Sequence, residues 1–380
     1  MNKGDIFIFI LWEKARRYEK EIREEISAKV RILKEVEMFW PTDAFVRHMR
    51  EFYGFGTWFT WWNKGRKCGR GPFLVWFVED MCPSWVRRTD MRQRELLVDD
   101  RIYQLKRKLR RITGHSNVVH SSVTMEETVQ QVDCLFHCSP EEAVSGERLP
   151  SAADLEQMLV ANRMVLLGDG QRRVCRRIPG TGLCLKSYRT DEELSSHDGT
   201  EVVRKSIARE IRLYRHDEKR NTSCLEWYYY QELRSRLPPE LLVIFPERVE
   251  RIHLPLYGWC IVETELKNFD GTPVRQVADE LSRIAANGGG QADLCKFRAL
   301  RNSLIPFFKA LADAAVHFYD PPNVLVQWTS PDRFRLRIAD FEPSSRTIVA
   351  LDRWFAFCAS YKCRRRYGRF LRTLGLKSKW

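Results

Sequence analysis

Residues 139–158 (SPEEAVSGERLPSAADLEQM) carry two prolines, small residues and acids and no aromatic side chain, whereas aromatics are dense on either side. A stretch without apolar bulk is poor core material, so the chain on each side of it must bury an interior of its own. The division expected is a first domain over residues 1–138, a linker over 139–158 and a second domain over 159–380, in line with roughly two domains for 380 residues. A hydrophobic content of 44% with 12% aromatics excludes a mainly disordered chain despite the net charge of +14. The longest apolar run, Ile6 to Trp12, is far short of the ~20 residues that span a bilayer. Asp5 and Glu13 bracket it and no small-residue cleavage site follows, so a soluble, cytoplasmic protein is expected. The eleven cysteines form no CxxC; Cys134, His137 and Cys138 are the tightest group and lack the second pair that zinc needs, which points to reduced thiols.

In the first block the pattern predicts a strand at Asp5–Leu11 and a charged helix from Glu13 to about Val30, with Ala15, Tyr18, Ile22 and Ile26 at helical spacing. A strand over 30–38 follows, then a helix opened by Pro41 and ending near Tyr53. Trp58–Trp62 reads as an aromatic loop, 73–78 as a strand, 101–112 as a basic helix, the surroundings of Val118 as a short strand and 124–136 as a helix. Such an order suggests an α+β sandwich. His120 sits beside Ser121, Ser122 and a helix start, where it could accept a phosphate or contact an anion. The competing reading makes it a strand-end histidine, with Thr124 and Glu127 as a capping box.

The second block opens with strands punctuated by glycine. Gly168 and Gly170 lie in a turn able to bring backbone N–H groups to phosphate. Lys186 lies in the apolar strand LCLKSY, where a charge is costly unless it meets an anion or, at an edge, water. Glu226 in SCLEWYYYQEL is its expected helix partner, with Glu210 in AREIRLY the competitor. Asp320 and Asn323 precede an apolar strand and Asp340 closes RLRIAD, so hard oxygen ligands of the kind Mg²⁺ takes gather at adjacent strand ends. Asp-Pro-Pro-Asn is also an ordinary turn sequence.

Through GDGQRRVCRRIPGTGLCLKSYR, EWYYYQEL, GWCIVETELKNFDGTP, DPPNVLV, RIADF and the basic tail, residues 164–374 resemble the protein-kinase-like superfamily, and within it the bacterial PhoP-regulatory-network YrbL family. The resemblance implies a two-lobed kinase-like domain using ATP and Mg²⁺, with Lys186 on phosphate, Glu226 as its partner, Asn323 and Asp340 on the metal and Asp320 near the acceptor hydroxyl. Asp320 and Asn323 are two residues apart where kinases have four, and Phe341 is followed by Glu342 where kinases have glycine. Forty residues follow Asp340, without an APE sequence, so a small-molecule, glycan or lipid-linked acceptor is expected in place of a protein. Residues 5–137 resemble the nucleoside diphosphate kinase fold, which is ferredoxin-like, through REFYG, GPFLVWFVED and NVVHSS. That resemblance implies a nucleotide pocket at Asn117 and His120, with Tyr53 and Arg110 nearby.

KRKLRR at 106–111 and the final twenty residues, with eight Lys or Arg and no acid, suit phosphate-bearing ligands, an anionic membrane face or nucleic acid, although no nucleic-acid signature accompanies them. The expectation is thus an α+β protein with two domains, N-terminal ferredoxin-like and C-terminal kinase-like. It would be an ATP/Mg²⁺ phosphotransferase acting on a small-molecule or envelope-glycan acceptor; the alternatives are a catalytically impaired pseudokinase that binds nucleotide as a regulator or scaffold, and a basic RNA-binding protein.

Overall fold

The computed structural model describes the chain except residues 1–3, 43, 55–56, 90–92, 94, 137, 146–148, 197–199, 248, 287–289, 317–322, 342–355 and 377–380, and the side chains of 356–359. The fold is mixed α+β with several small antiparallel sheets, and the chain divides into two compact units, Met1–Leu149 and Pro150–Trp380. The boundary falls inside the segment 139–158, but much of that segment is helical.

Unit 1 runs β1 (Asp5–Leu11), a 3-10 turn (Glu13–Tyr18), α1 (Glu19–Ser27), β2 (Arg31–Met38), α2 (Phe45–Tyr53), α3 (Trp58–Cys68), β3 (Phe73–Asp80), β4 (Trp85–Thr89), β5 (Glu95–Asp99), α4 (Asp100–Ile112), β6 (Val119–Ser121), α5 (Met125–Phe136) and α6 (Pro140–Ser145). Its four-stranded sheet has the order β2-β3-β1-β6, antiparallel throughout. All residues of β3 and all but the first of β1 are buried, so both sheet faces are covered, which is why these strands read as continuous apolar runs. The aromatic stretch Trp58–Trp62 is not a loop. It opens α3, capped by Thr57, whose side chain accepts from the Thr60 N–H; Trp61, Gly65 and Cys68 fall at helical spacing on its buried side. The β4–β5 hairpin was not foreseen, because two five-residue strands around a charged tip give almost no alternation.

Unit 2 runs α7 (Ala152–Val160), β7 (Val165–Asp169), β8 (Arg173–Arg177), β9 (Leu183–Tyr188), α8 (Asp191–Ser195), α9 (Glu201–Tyr214), α10 (Thr222–Arg236), α11 (Pro239–Leu242), β10 (Val249–Leu254), β11 (Gly258–Thr264), β12 (Arg275–Gln276), α12 (Val277–Ala286), α13 (Gln291–Asp313), β13 (Val324–Trp328), β14 (Phe334–Ile338) and α14 (Ala356–Thr373). A five-stranded antiparallel sheet has the order β10-β11-β9-β8-β7, and a three-stranded sheet the order β12-β13-β14. Asn221 caps α10, its side chain accepting from the N–H groups of Ser223 and Cys224. The helix buries Glu226, Trp227 and Leu233, which is how a carboxylate comes to lie inside this unit.

Candidate functional site

Three elements distant in sequence converge in unit 2. β9 is flanked by β8 and β11, and the register puts Lys186 beside Cys175 and Ile261. Its Nζ lies 3.2 Å from Glu226 Oε1 and 2.9 Å from Glu263 Oε1, and donates to the carbonyl of Ala339. Three partners match the three N–H bonds of an ammonium group. Glu226, not Glu210, is therefore the partner of Lys186; Glu210 pairs with Arg172 at 3.3 Å. Glu226 is fully buried and also accepts from the Phe341 N–H at 3.3 Å and from Arg173 Nη1 at 2.7 Å. Arg173 continues outward, with Nη2 3.0 Å from Asp340 Oδ1. A chain of charge thus runs from Glu263 through Lys186, Glu226 and Arg173 to Asp340, whose side chain is 42% exposed.

Burial works against the charge on Lys186, yet Glu226, Glu263 and Asp340 together hold its pKa above the ordinary lysine value. Burial raises Glu263 to about 7, against the pull of Lys186, and Glu226 pushes the same way. Two cations thus face three carboxylates, one of them poised to be neutral, and the site is close to balanced from within.

Gly168 and Gly170 lie at the β7–β8 hairpin, which carries an irregularity between Leu166 and Gly168. Arg189 ties the turn down, Nε donating to the Gly170 carbonyl at 2.9 Å and the guanidinium pairing with Asp169. Val324 pairs with Ile338, so Asn323 and Asp340 come to the same end of the β13–β14 hairpin, as the strand-end reading requires. Asp320 lies outside the described residues. Arg173 sits on one oxygen of Asp340, so Mg²⁺ here would share this carboxylate with a guanidinium; among the described residues, which leave out Asp320, no group of three or more His, Cys, Asp or Glu side chains could hold a metal ion. Arg173 is the member of this cluster that the sequence pattern does not single out. Arg172, Arg173, Arg176 and Arg177 all follow the glycine turn, and nothing in the spacing marks Arg173 as the one that reaches both Glu226 and Asp340.

In unit 1, His120 lies on β6 opposite Ile10 and is only 4% exposed. Its Nε2 is 3.0 Å from Gln131 Oε1, and Phe52 and Tyr53 meet its ring edge to face. Burial, with Lys106 and Lys64 adding to it, holds its pKa well below the ordinary value, so the imidazole is neutral. The hydroxyl of Ser122 serves the fold, accepting from the Ile8 N–H at 3.0 Å and from Thr128 Oγ1 at 2.9 Å. Thr124 accepts from the Glu127 N–H at 3.0 Å, while Glu127 reaches back to the Val123 N–H, one residue short of a capping box. His120 is thus a buried strand residue held by Gln131 and enclosed by aromatic rings. Tyr53 is likewise drawn inward, stacked on Trp61. Arg110 Nε donates to the Val119 carbonyl at 3.1 Å, and Asn117 sits half-buried in the turn before β6. Cys134 and Cys138 are both half-buried, with His137 outside the described residues.

No family model matches the chain, and no curated protein is significantly similar to it. Among the described residues no helix is long and apolar enough to cross a membrane.

Proposed function

We propose that residues 150–380 form a kinase-like unit of the YrbL type acting as a nucleotide-binding regulator or scaffold, catalytically impaired by its own Arg173. The five-strand order with the helix-borne Glu226 against Lys186 supports the kinase-like reading, since this ion pair positions the phosphate-contacting lysine in that fold. The observation that carries the impairment is the Arg173 guanidinium spanning Glu226 and Asp340. It occupies the carboxylate that the resemblance assigns to the metal, and a fixed cation cannot bridge phosphate oxygens as a mobile one does. For unit 1, the antiparallel order β2-β3-β1-β6 supports a ferredoxin-like fold related to nucleoside diphosphate kinase without its phosphohistidine chemistry.

Calorimetric titration with ATP, in magnesium and in EDTA, tests the proposal alongside a turnover assay. ATP is expected to bind with affinities within about threefold in the two buffers, to lose binding in Lys186→Met and to release no phosphate. Arg173→Ala should make binding magnesium-dependent. Absence of any ATP binding removes the nucleotide from the proposal. The second reading is an ATP/Mg²⁺ phosphotransferase with a small-molecule or envelope-glycan acceptor, and the preformed Lys186–Glu226 pair favours it. Magnesium-dependent turnover that Asp340→Ala abolishes would establish this reading and overturn the first.

A further inference from the structure

Unit 1 gathers positive charge at α4, and Glu127 is the carboxylate that opposes it. α4 presents Lys106, Arg107, Arg110 and Arg111 to a groove of about 640 Å³, with Tyr103 and Val123 among its other walls. Lys106 Nζ donates to a backbone carbonyl, that of Ser121 at 2.5 Å, and Arg110 Nε to the carbonyl of Val119. Lys64 stands 3.5 Å over the Tyr53 ring. Among the described residues none of these five side chains forms an ion pair. Glu127 attracts Lys64, Lys106 and Arg110, while its oxygens accept from the Val123 N–H and Gln131 Nε2 and one lies 3.6 Å from His120 Nε2. Like charges at i and i+4, here 106/110 and 107/111, disfavour a helix, and burial beside them lowers Lys64 to about 7 and Lys106 to about 8. Five cations against this one carboxylate, four of them around a concave surface of this size, suit a multiply charged anion.

We infer that this groove binds a phosphate-bearing small ligand of the diphosphate type, through Lys106, Arg107, Arg110 and Arg111, with Lys64 behind them. The site is independent of Lys186 and the nucleotide reading of unit 2.

The test is calorimetric titration of inorganic pyrophosphate into the full chain at low salt. Saturable binding is expected, weakened at least tenfold by Lys106→Gln with Arg110→Gln and unchanged by Lys186→Met. Thermal melting gives a second readout. Without pyrophosphate the double variant should melt no lower than the native chain, because repulsion is relieved; with it, only the native chain should gain stability. Vesicles containing phosphatidic acid separate the two sources of phosphate: cosedimentation that the double variant loses and pyrophosphate blocks identifies a lipid headgroup, whereas no cosedimentation identifies a soluble ligand. The inference fails if pyrophosphate gives no saturable heat, or binds the double variant equally well. It also fails if an oligoribonucleotide binds with the same variant sensitivity and pyrophosphate does not compete, which would make the groove an RNA surface.

Discussion

Lys64 and Glu263 are both displaced from ordinary titration by burial, and their displacement has opposite consequences for pH. Lys64 titrates near 7 in the fold and near 10.5 when exposed, so between those values the unfolded chain holds the extra proton. Stability contributed at this residue therefore rises as pH climbs through 7. In urea denaturation at pH 6, 7.5 and 9, Lys64→Met should be more stable than the native chain at pH 6, with the difference shrinking toward pH 9; a variant less stable at pH 6 would contradict the assignment. Glu263, raised to about 7, behaves in the reverse sense: its favourable contribution is complete below about 4.5 and is lost as pH rises through 7. Glu263→Gln should flatten that part of the curve. At His120 the neutral, enclosed imidazole predicts an unchanged intact mass after incubation with ATP, and a gain of one acid-labile phosphate would show that the pocket opens. The sequence showed which types of residue could carry charge into each unit, but not which of several arginines would. Arg172, Arg173, Arg176 and Arg177 look alike in order, yet only tertiary packing sends Arg172 to Glu210, Arg173 to Glu226 and Asp340, Arg176 to Glu193 and Arg177 to Glu265.

At the scale of elements, strongly periodic or continuously apolar segments were legible, and β1, β3 and α4 stand where their patterns put them. α3 was not, because a run of tryptophans hides the i, i+4, i+7 spacing of Trp61, Gly65 and Cys68 behind uniform aromaticity. The glycines at the turns carry a different message. Gly258 begins β11 at φ +73°, and a Cβ there would lie 2.2 Å from the carbonyl oxygen of Arg215, the same oxygen that accepts from the Trp259 N–H at 3.0 Å. Neither backbone can yield without breaking this link between the end of α9 and the sheet. Gly258→Ala should cost about 2–4 kcal/mol in chemical denaturation. A loss under ~0.5 kcal/mol would mean that the turn has room to relax.

For the whole molecule, the composition-poor segment marked the division, and each unit has a core of its own on either side of it. Energetic independence follows as an expectation. Phe77→Ala, deep in unit 1 and fully buried, should cost about 3–5 kcal/mol there while leaving ATP titration of unit 2 unchanged at temperatures where both remain folded. A parallel loss of ATP binding would show that the units are coupled. The net charge of +14 now divides into two kinds. Arg173 and Lys186 are consumed inside unit 2, and on α4 Arg101 pairs with Asp80 and Lys108 with Glu25, whereas Lys106, Arg107, Arg110 and Arg111 line the groove proposed to take a ligand.

The Arg173 bridge also bears on how the protein is made. It joins positions 167 residues apart, and Lys186 reaches the carbonyl of Ala339 over 153. A nascent or prematurely terminated chain lacking β14 would hold Lys186 and Arg173 without either of these partners. The charge cluster closes only when the end of this strand has been synthesised and docked, so a truncation before Ala339 should yield a unit that quality-control proteases can tell from the finished one.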